Sequence, residues 1–164
     1  MGRWRPPSPQ ASPYITADGY RKLETELAQA WKRRAVVTSA LTAAAAEGDR
    51  SENAEYIYRK KELREIDRRI RYLQQRLPEL HVVTESPTES SRVFFGAWVT
   101  LEDSQGKEIE YRIVGADELD PGGGYLSMDS PLARALLKKA VDDEVLVATP
   151  SGKVHYFITR VRYD

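Results

Sequence analysis

Three carboxylates stand close together at a short turn in the first third of the chain. Asp49 and Glu52 are three residues apart, and Glu55 follows one helical turn later. Oxygen ligands of this kind suit Mg²⁺, which takes one or two carboxylates and completes its shell with water and phosphate oxygens. Two carboxylates are too few to hold the ion alone. The pattern therefore predicts a magnesium site whose other ligands come from a partner.

The same spacing also has a purely structural interpretation. Asp-x-x-Glu at the start of a helix is a capping-box pattern, in which Asp49 accepts backbone N–H bonds and Glu52 reaches back. Spacing alone favours capping, whereas a position at the tip of a protrusion favours the metal. The residues by themselves leave both interpretations open.

The rest of the composition excludes several kinds of catalytic and metal site. The 164 residues include no cysteine and only two histidines, His81 and His155, which excludes disulfides, thiol catalysis and a cysteine-based zinc site. No apolar run approaches the roughly 20 residues that cross a bilayer. The N-terminus lacks the apolar stretch of a signal peptide. We therefore expect a cytoplasmic protein with no membrane partner.

Charge is distributed unevenly along a chain whose formal net charge is zero. Residues 59–76 carry eight Lys/Arg against three Asp/Glu, a net charge of +5, whereas residues 92–164 carry nine against twelve, a net charge of −3. This asymmetry predicts two units with different partners.

Two long helices must position the turn. We predict the first from about Thr16, a candidate N-cap, to about Glu47, and the second from about Asn53 to Leu77, just before Pro78. The turn between them is too short for anything but an antiparallel hairpin. Because a helix over 16–47 is about 48 Å long, the hairpin is expected to project beyond a compact domain.

Apolar residues recur in both predicted helices at alternating steps of three and four, the seam of a coiled coil. Arg34 is the one discordant position. The seam residues are Tyr20, Leu23, Leu27, Ala30, Val37, Leu41 and Ala44 in the first helix, and Leu63, Ile66, Ile70, Leu73, Leu77 and Leu80 in the second.

The pattern changes to strands after a linker at 85–91. β-Branched and aromatic residues predict strands at 93–101, 108–115, 125–128, 144–149 and 154–163. One short helix is expected through residue 139, with Ser130 as its cap and Pro131 at its first position. The predicted fold class is α+β: a disordered extension at 1–13, an antiparallel α-helical coiled-coil hairpin at 14–84 with an acidic tip at 48–56, and a small α+β domain at 92–164.

Several sequence blocks resemble the GreA/GreB family of bacterial transcript-cleavage factors. They are GDRSENAEY at 48–56, YRKK at 58–61, LREIDRR at 63–69, VFFGAWV at 93–99 and DSPLARALLKK at 129–139. The resemblance extends over residues 14–163. Arg50 stands where GreA-type tips usually carry Leu, which favours the other branch of the family.

The resemblance implies an elongation factor that is not an enzyme itself. Its coiled coil would enter the secondary channel of bacterial RNA polymerase, and an FKBP-like C-terminal domain would dock on the channel rim. Asp49 and Glu52 would be the catalytic tip acids, which help to place a second Mg²⁺ and an attacking water for the polymerase's own cleavage of backtracked RNA. Gly48, Arg50, Ser51, Asn53 and Tyr56 would complete the tip, and Asp129, Ser130 and Pro131 would contact the rim.

The basic segment has two interpretations. It is either a solvated helix face with i,i+4 pairs such as Glu65–Arg69, or a track for the 3′ segment of the nascent RNA that contacts phosphates without reading sequence. The resemblance favours the track, formed by Arg59, Lys60, Lys61, Arg64, Arg68 and Arg71. Tyr56 and Tyr58 could stack on bases, although Tyr56 fits core packing equally well.

Two segments depart from the family pattern: the extension at 1–13 and the glycine-rich loop at 121–124. The nearest rival function is a regulator that uses the same channel without promoting cleavage, and the presence of both Asp49 and Glu52 counts against it. A prolyl isomerase would require an apolar substrate pocket, and a coiled-coil chaperone arm would require an apolar tip. We expect a monomer that associates with the nucleoid through the polymerase.

Overall fold

The computed structural model describes residues 11–47, 53–120 and 122–163. They form two compact units, one of which is Tyr20–Leu80 while the other contains the remaining described residues. The elements are β1 (Tyr14–Thr16), α1 (Ala17–Ala45), α2 (Ala54–Arg76), a 3-10 turn (Leu77–Glu79), β2 (His81–Val83), β3 (Trp98–Asp103), β4 (Glu108–Val114), β5 (Tyr125–Ser127), α3 (Pro131–Leu136), β6 (Glu144–Thr149) and β7 (Gly152–Arg162). The predicted α+β fold class is confirmed. Within the described ranges, no helix is both long and apolar enough to span a bilayer.

The first unit is an antiparallel pair of helices. Three ion pairs join α1 to α2: Glu26 with Arg69, Arg33 with Glu62, and Arg34 with Asp67. The partner of Arg33 precedes that of Glu26 on α2, as expected for antiparallel helices. Every predicted seam position is buried or half-buried. The hairpin therefore buries one stripe of each helix, as the three-and-four spacing predicted.

Arg34, the charged residue at a seam position of α1, forms an ion pair with α2. Its Nε donates to Oδ1 of Asp67 across the hairpin at 2.6 Å. Both side chains stay about one-third exposed, at 38% and 34%, so the long arginine stem lies at the edge of the seam while its charged end reaches the other helix. The discordant residue in the apolar pattern is thus a charged contact at the edge of the seam.

The second unit contains a five-stranded sheet with the strand order β5-β4-β3-β7-β6. β5 pairs parallel to β4, and the other neighbours are antiparallel. Side chains alternate along β6 and β3, so one face of the sheet supplies the core. Helix α3 contributes Ala133 and Leu136 to that core. The buried core residues are Val93, Ala97, Val99, Leu101, Ile113, Ala133, Leu136, Val145, Val147 and Ile158.

The segment just before α1 belongs to the sheet-containing unit. β1 pairs in parallel with β2, so that Tyr14 lies opposite His81 and Thr16 opposite Val83. The prediction of disorder was therefore wrong for residues 11–13. The backbone N–H and the hydroxyl of Ser12 both donate to the carboxylate of Asp129, and residues 1–10 lie outside the described residues.

Thr16 fixes the start of α1. Its hydroxyl accepts a hydrogen bond from the backbone of Gly19 at 3.0 Å, which confirms the predicted N-cap. The same hydroxyl donates to Glu118, whose carboxylate also accepts from the backbone of Gly115 at 2.8 Å. Gly115 has no room for a side chain, because a Cβ there would lie 2.0 Å from the carbonyl oxygen of Tyr14.

Two predicted elements are shorter than expected, for one shared reason. Residues 93–97 are not a strand, and α3 ends at Leu136 rather than near residue 139. The backbone of Val93 pairs instead with Lys138 and Lys139, accepting and donating hydrogen bonds of 2.7 Å each. Lys138 adopts a φ of 71° to make this turn. A helix through residue 139 could not form these bonds.

Tyr163 fastens the end of β7 to the same segment. Its hydroxyl accepts from the backbone N–H of Phe94 at 2.9 Å and donates to the carbonyl of Arg92. Burial of the ring raises the pKa of the Tyr163 hydroxyl above its ordinary value, because the ionised form would lose hydration. The hydroxyl is therefore held in the neutral form that can donate.

Candidate functional site

The structure describes both flanks of the predicted tip. Gly48, Asp49, Arg50, Ser51 and Glu52 lie outside the described residues. On the first side, α1 ends at Ala45 and continues as a short turn through Glu47. On the second side, α2 begins at Ala54.

Asn53 joins the two flanks through both ends of its side-chain amide. Its Oδ1 accepts a hydrogen bond from the backbone N–H of Tyr56 at 3.1 Å, which caps α2. Its Nδ2 donates to the carbonyl of Ala44 at 2.8 Å. The same carbonyl also accepts from the backbone N–H of Glu47 at 3.2 Å, so the bond from Asn53 is its second. One side chain thus caps α2 and ties it to the end of α1.

The position of Asn53 bears on the capping interpretation of the acidic spacing. The N-cap of α2 is Asn53, in extended conformation, and not Asp49. The interpretation in which Asp49 caps this helix is therefore wrong. Asp49 and Glu52 as magnesium ligands stay a prediction. Among the described residues, no group of three or more His, Cys, Asp or Glu could hold a metal ion.

The cations of α2 fall into two groups. Arg59, Arg69 and Arg76 are held by carboxylates, as are Arg33 and Arg34 on α1. Arg69 binds Glu26 through two hydrogen bonds, including one of 2.9 Å from Nη2, and does not pair with Glu65. Glu62 accepts from both Arg33 and Arg59, at 2.7 Å and 3.1 Å. Arg33, Arg34 and Arg69 thus join the two helices, whereas both partners of Arg59 lie on its own helix.

Arg59 differs in this respect from the other predicted RNA contacts. Its Nε donates to Glu55 at 2.9 Å while Nη1 donates to Glu62. The hydrogen bond to Glu55 is the main reason why the pKa of Arg59 is raised above its ordinary value. Both neighbouring carboxylates offset its charge, so Arg59 is a poorer phosphate ligand than an unpaired arginine.

The second group forms an exposed basic stripe along α2. Its members recur on one face of the helix, opposite the seam, and the stripe extends for about 17 Å. They form no ion pair within the described part of the chain. The basic stripe consists of Lys60, Lys61, Arg64, Arg68 and Arg71, all exposed.

Aromatic and apolar side chains flank the tip end of the basic stripe. Tyr58 is 59% exposed and Ile57 is 54% exposed, whereas Tyr56 is half-buried. The guanidinium of Arg59 lies 5.6 Å from the centre of the Tyr58 ring, and the ammonium of Lys60 lies 5.8 Å from that of Tyr56. Of the two tyrosines, Tyr58 has the more accessible surface for stacking.

The predicted rim-docking segment is a well-bonded turn in the sheet-containing unit. The N–H of Asp129 donates to the hydroxyl of Ser127 at 3.1 Å. Ser130 caps α3 by accepting from Ala133 at 3.2 Å, as predicted, and the exposed Pro131 is its first residue. The half-buried Asp129 thus lies in the turn between β5 and α3, immediately before the cap residue Ser130.

A cavity of about 200 Å³ in this unit bears on the prolyl-isomerase alternative. Polar or charged side chains make up most of its lining, including Thr16, Asp18, Glu85 and Arg112. A prolyl isomerase needs an apolar pocket for its substrate, and this cavity does not provide one.

Comparison with known proteins identifies the family. The N-terminal model for transcription elongation factors matches residues 13–82, and the model "Transcription elongation factor, GreA/GreB, C-term" matches residues 87–163. The chain is 56% identical over 165 residues to transcription elongation factor GreB of Xanthomonas axonopodis pv. citri, covering 99% of this chain and 98% of that protein. The chain belongs to the GreA/GreB family of transcription elongation factors.

Within the GreA/GreB family the similarity is to GreB. GreB of Pseudomonas aeruginosa is 55% identical over 164 residues, with 99% of this chain and 98% of that protein covered. The branch predicted from Arg50 is therefore confirmed. A solved GreA/GreB structure from Nitrosomonas europaea is 20% identical, covers 93% of this chain and 100% of its own, and has a TM-score of 0.43.

Sequence reasoning missed two contacts of this GreA/GreB factor. Asn53 was expected to complete the tip, but its bond to Ala44 depends on a tertiary arrangement that no local pattern specifies. Ser12 was assigned to a disordered extension, although it contacts Asp129, 117 positions away. The local sequence signal that residue 12 is ordered was the Ser-Pro pair at 12–13, just before the predicted helix.

Asn53 yields a stability prediction. Asn53→Ala should lower the free energy of unfolding of the hairpin by about 1–2 kcal/mol, because it removes a helix cap and one of the two hydrogen bonds to the Ala44 carbonyl. Asn53→Asp keeps the cap acceptor but not the donor, so its loss should be smaller. Thermal unfolding followed by helical circular dichroism measures both. Equal stability of the wild type and Asn53→Ala would contradict the assigned role.

Proposed function

We propose that this factor binds bacterial RNA polymerase and stimulates the polymerase's own endonucleolytic cleavage of nascent RNA in backtracked complexes. Membership of an elongation-factor family supports an interaction with the polymerase. The observation that carries the finer proposal is the division of the hairpin's cations into an ion-paired group and an exposed basic stripe that leads to the tip. The factor works where transcription occurs, in the bacterial cytoplasm and at the nucleoid, as a monomer.

A helical hairpin suits insertion into the secondary channel of the polymerase. Ion pairs between the helices hold it together along α1 and α2, and α2 alone spans about 35 Å. Asn53 ties the two helices together next to the segment that contains the tip acids. The segment Asp129-Ser130-Pro131 would dock on the channel rim from the other unit.

The basic stripe would contact the extruded 3′ segment of the RNA. Unpaired lysines and arginines attract phosphates of any sequence, which is what a factor acting on every backtracked transcript requires. Tyr58 lies next to the stripe and offers an exposed ring for stacking on a base, an interaction that tolerates all four bases. The ion-paired arginines already have carboxylate partners, so they contribute less to this attraction.

The tip acids Asp49 and Glu52 would contribute ligands to a shared Mg²⁺. Carboxylate oxygens are the donor type that the ion prefers, and two of them need further ligands from the polymerase and the RNA phosphate. Because Asn53 caps α2, the fold does not require Asp49 for that purpose. When bound, such an ion supplies an activated water for phosphodiester hydrolysis. The factor would thus complete a site that belongs to the polymerase.

A first prediction uses the two groups of cations. Replacing Arg64, Arg68 and Arg71 together by alanine should reduce cleavage of long backtracked segments more than short ones, because fewer phosphates are then neutralised. Each phosphate contact to a single strand contributes about 0.7 to the slope of log apparent affinity, of the factor for the backtracked complex, against log salt concentration. Loss of three contacts should therefore make this slope shallower by up to about 2. Cleavage assays on complexes backtracked by defined distances, at several salt concentrations, measure this.

The matched control removes the same charge from the ion-paired group, with Arg33, Arg34 and Arg69 replaced by alanine. This variant should lose some stability, at most about 1 kcal/mol per exposed pair, but should keep the salt slope of the wild type. Equal loss of cleavage at all backtrack lengths in the stripe variant, or an equal change of slope in both variants, would contradict the proposed RNA track.

A second prediction separates metal binding from structure at Asp49. Asp49→Asn should melt within about 1 kcal/mol of the wild type, since Asn53 holds the cap. Binding to the polymerase should persist, because the rim contact is in the other unit. Single-turnover cleavage should fall by about two orders of magnitude, the scale of losing one transition-state electrostatic contact.

Glu47→Gln is the control for Asp49→Asn, because it removes one negative charge beside the tip from an exposed residue. It should cleave at nearly the wild-type rate. If Asp49→Asn also cleaved at that rate while binding normally, the factor would be a channel-binding regulator that does not use its tip acids.

A further inference from the structure

The N-terminal segment is bonded directly to the proposed rim-docking segment. The backbone N–H of Ser12 donates to Oδ2 of Asp129 at 2.9 Å, and its hydroxyl donates to Oδ1 at 2.5 Å. Both carboxylate oxygens are therefore engaged by one residue. Hydrogen bonds to an ionised acceptor are among the stronger ones, so this contact fixes the plane of the Asp129 carboxylate.

Both partners of this contact are themselves held by ordered backbone. The carbonyl of Pro13 accepts from the N–H of His81 at 2.8 Å, at the start of the β1–β2 pair. The ring of Tyr14 packs edge-on against His81 at 5.7 Å and against Phe95 at 6.2 Å. On the other side, the N–H of Asp129 is bonded to Ser127. The contact thus joins two positions that the fold already brings together.

The carboxylate of Asp129 keeps capacity for a partner. An ionised carboxylate offers about four acceptor sites on its two oxygens, and Ser12 occupies one on each. Asp129 forms no ion pair with any lysine or arginine among the described residues, although it is only half-buried. The negative charge is thus oriented but not neutralised, and it fits a basic side chain of an incoming protein.

We propose that Ser12 is a positioning residue of the docking surface, which orients Asp129 toward a cationic side chain of RNA polymerase. The inference rests on the proposed function, in which the segment at Asp129 docks on the polymerase. It assigns a role to a residue near the start of the first described range, and it makes Asp129 act jointly with Ser12. A freely rotating carboxylate would lose side-chain entropy on binding, whereas one held by Ser12 has already lost it.

A double-mutant cycle tests this coupling. The proteins are the wild type, Ser12→Ala, Asp129→Asn and the double variant, each competing with labelled wild-type factor for core polymerase. Ser12→Ala should weaken binding about fivefold to tenfold, and Ser12→Thr, which keeps a hydroxyl, should restore most of it. The double variant should bind no more weakly than Asp129→Asn.

Ser104→Ala is the matched control, because Ser104 is an exposed serine in the β3–β4 turn, outside the proposed docking segment, and it should bind like the wild type. Melting temperatures show whether each variant is folded. If Ser12→Ala is not folded, the affinity of Ser12→Thr is used in its place. Wild-type affinity for Ser12→Ala with weak binding by Asp129→Asn would overturn the inference alone, as would losses that multiply in the double variant. Wild-type affinity for Asp129→Asn would overturn the proposed docking segment and the inference with it.

Discussion

A hairpin of two helices can bury only one stripe of each helix, and the charged side chains at the edges of that stripe must be satisfied by the other helix. Here Arg34, Arg69 and Arg33 reach across to acids on α2 and α1. These pairs are partly exposed and individually weak, of the order of 0–1 kcal/mol. Their larger effect is on specificity, because they fix which residues of the two helices lie opposite each other.

The same constraint defines the functional surface. Cations near the seam are paired with carboxylates, whereas those of the basic stripe, on the opposite face of α2, form no ion pair with any other described residue. A count of charges over residues 59–76 could not show this, because Arg59 and Arg69 are paired whereas Arg64 and Arg68 form no ion pair within the described ranges. The division between scaffold and binding surface becomes visible only in three dimensions.

The sequence predicted the elements of regular periodicity well. Both long helices, the caps Thr16 and Ser130, and all five strands of the sheet lie near their expected positions, because those signals are local. The errors lie where distant backbone competes with local preference. Val93 pairs with Lys138 and Lys139, which shortens both a strand and a helix. Ser12 and Asp129 form a hydrogen bond although 117 positions separate them in the sequence. At the tip, spacing allowed Asp49 as a cap, and only the observed bond of Asn53 to Tyr56 shows which residue has that role.

The central claim is that this factor completes a catalytic site belonging to the polymerase, and a single comparison tests it most directly. Purified factor is incubated with Mg²⁺ and either free RNA or the same RNA in a backtracked elongation complex, and the rate of RNA cleavage is measured. The account predicts no hydrolysis of free RNA and strong stimulation of cleavage in the complex. Hydrolysis of free RNA by the factor alone, or no stimulation in the backtracked complex, would contradict it.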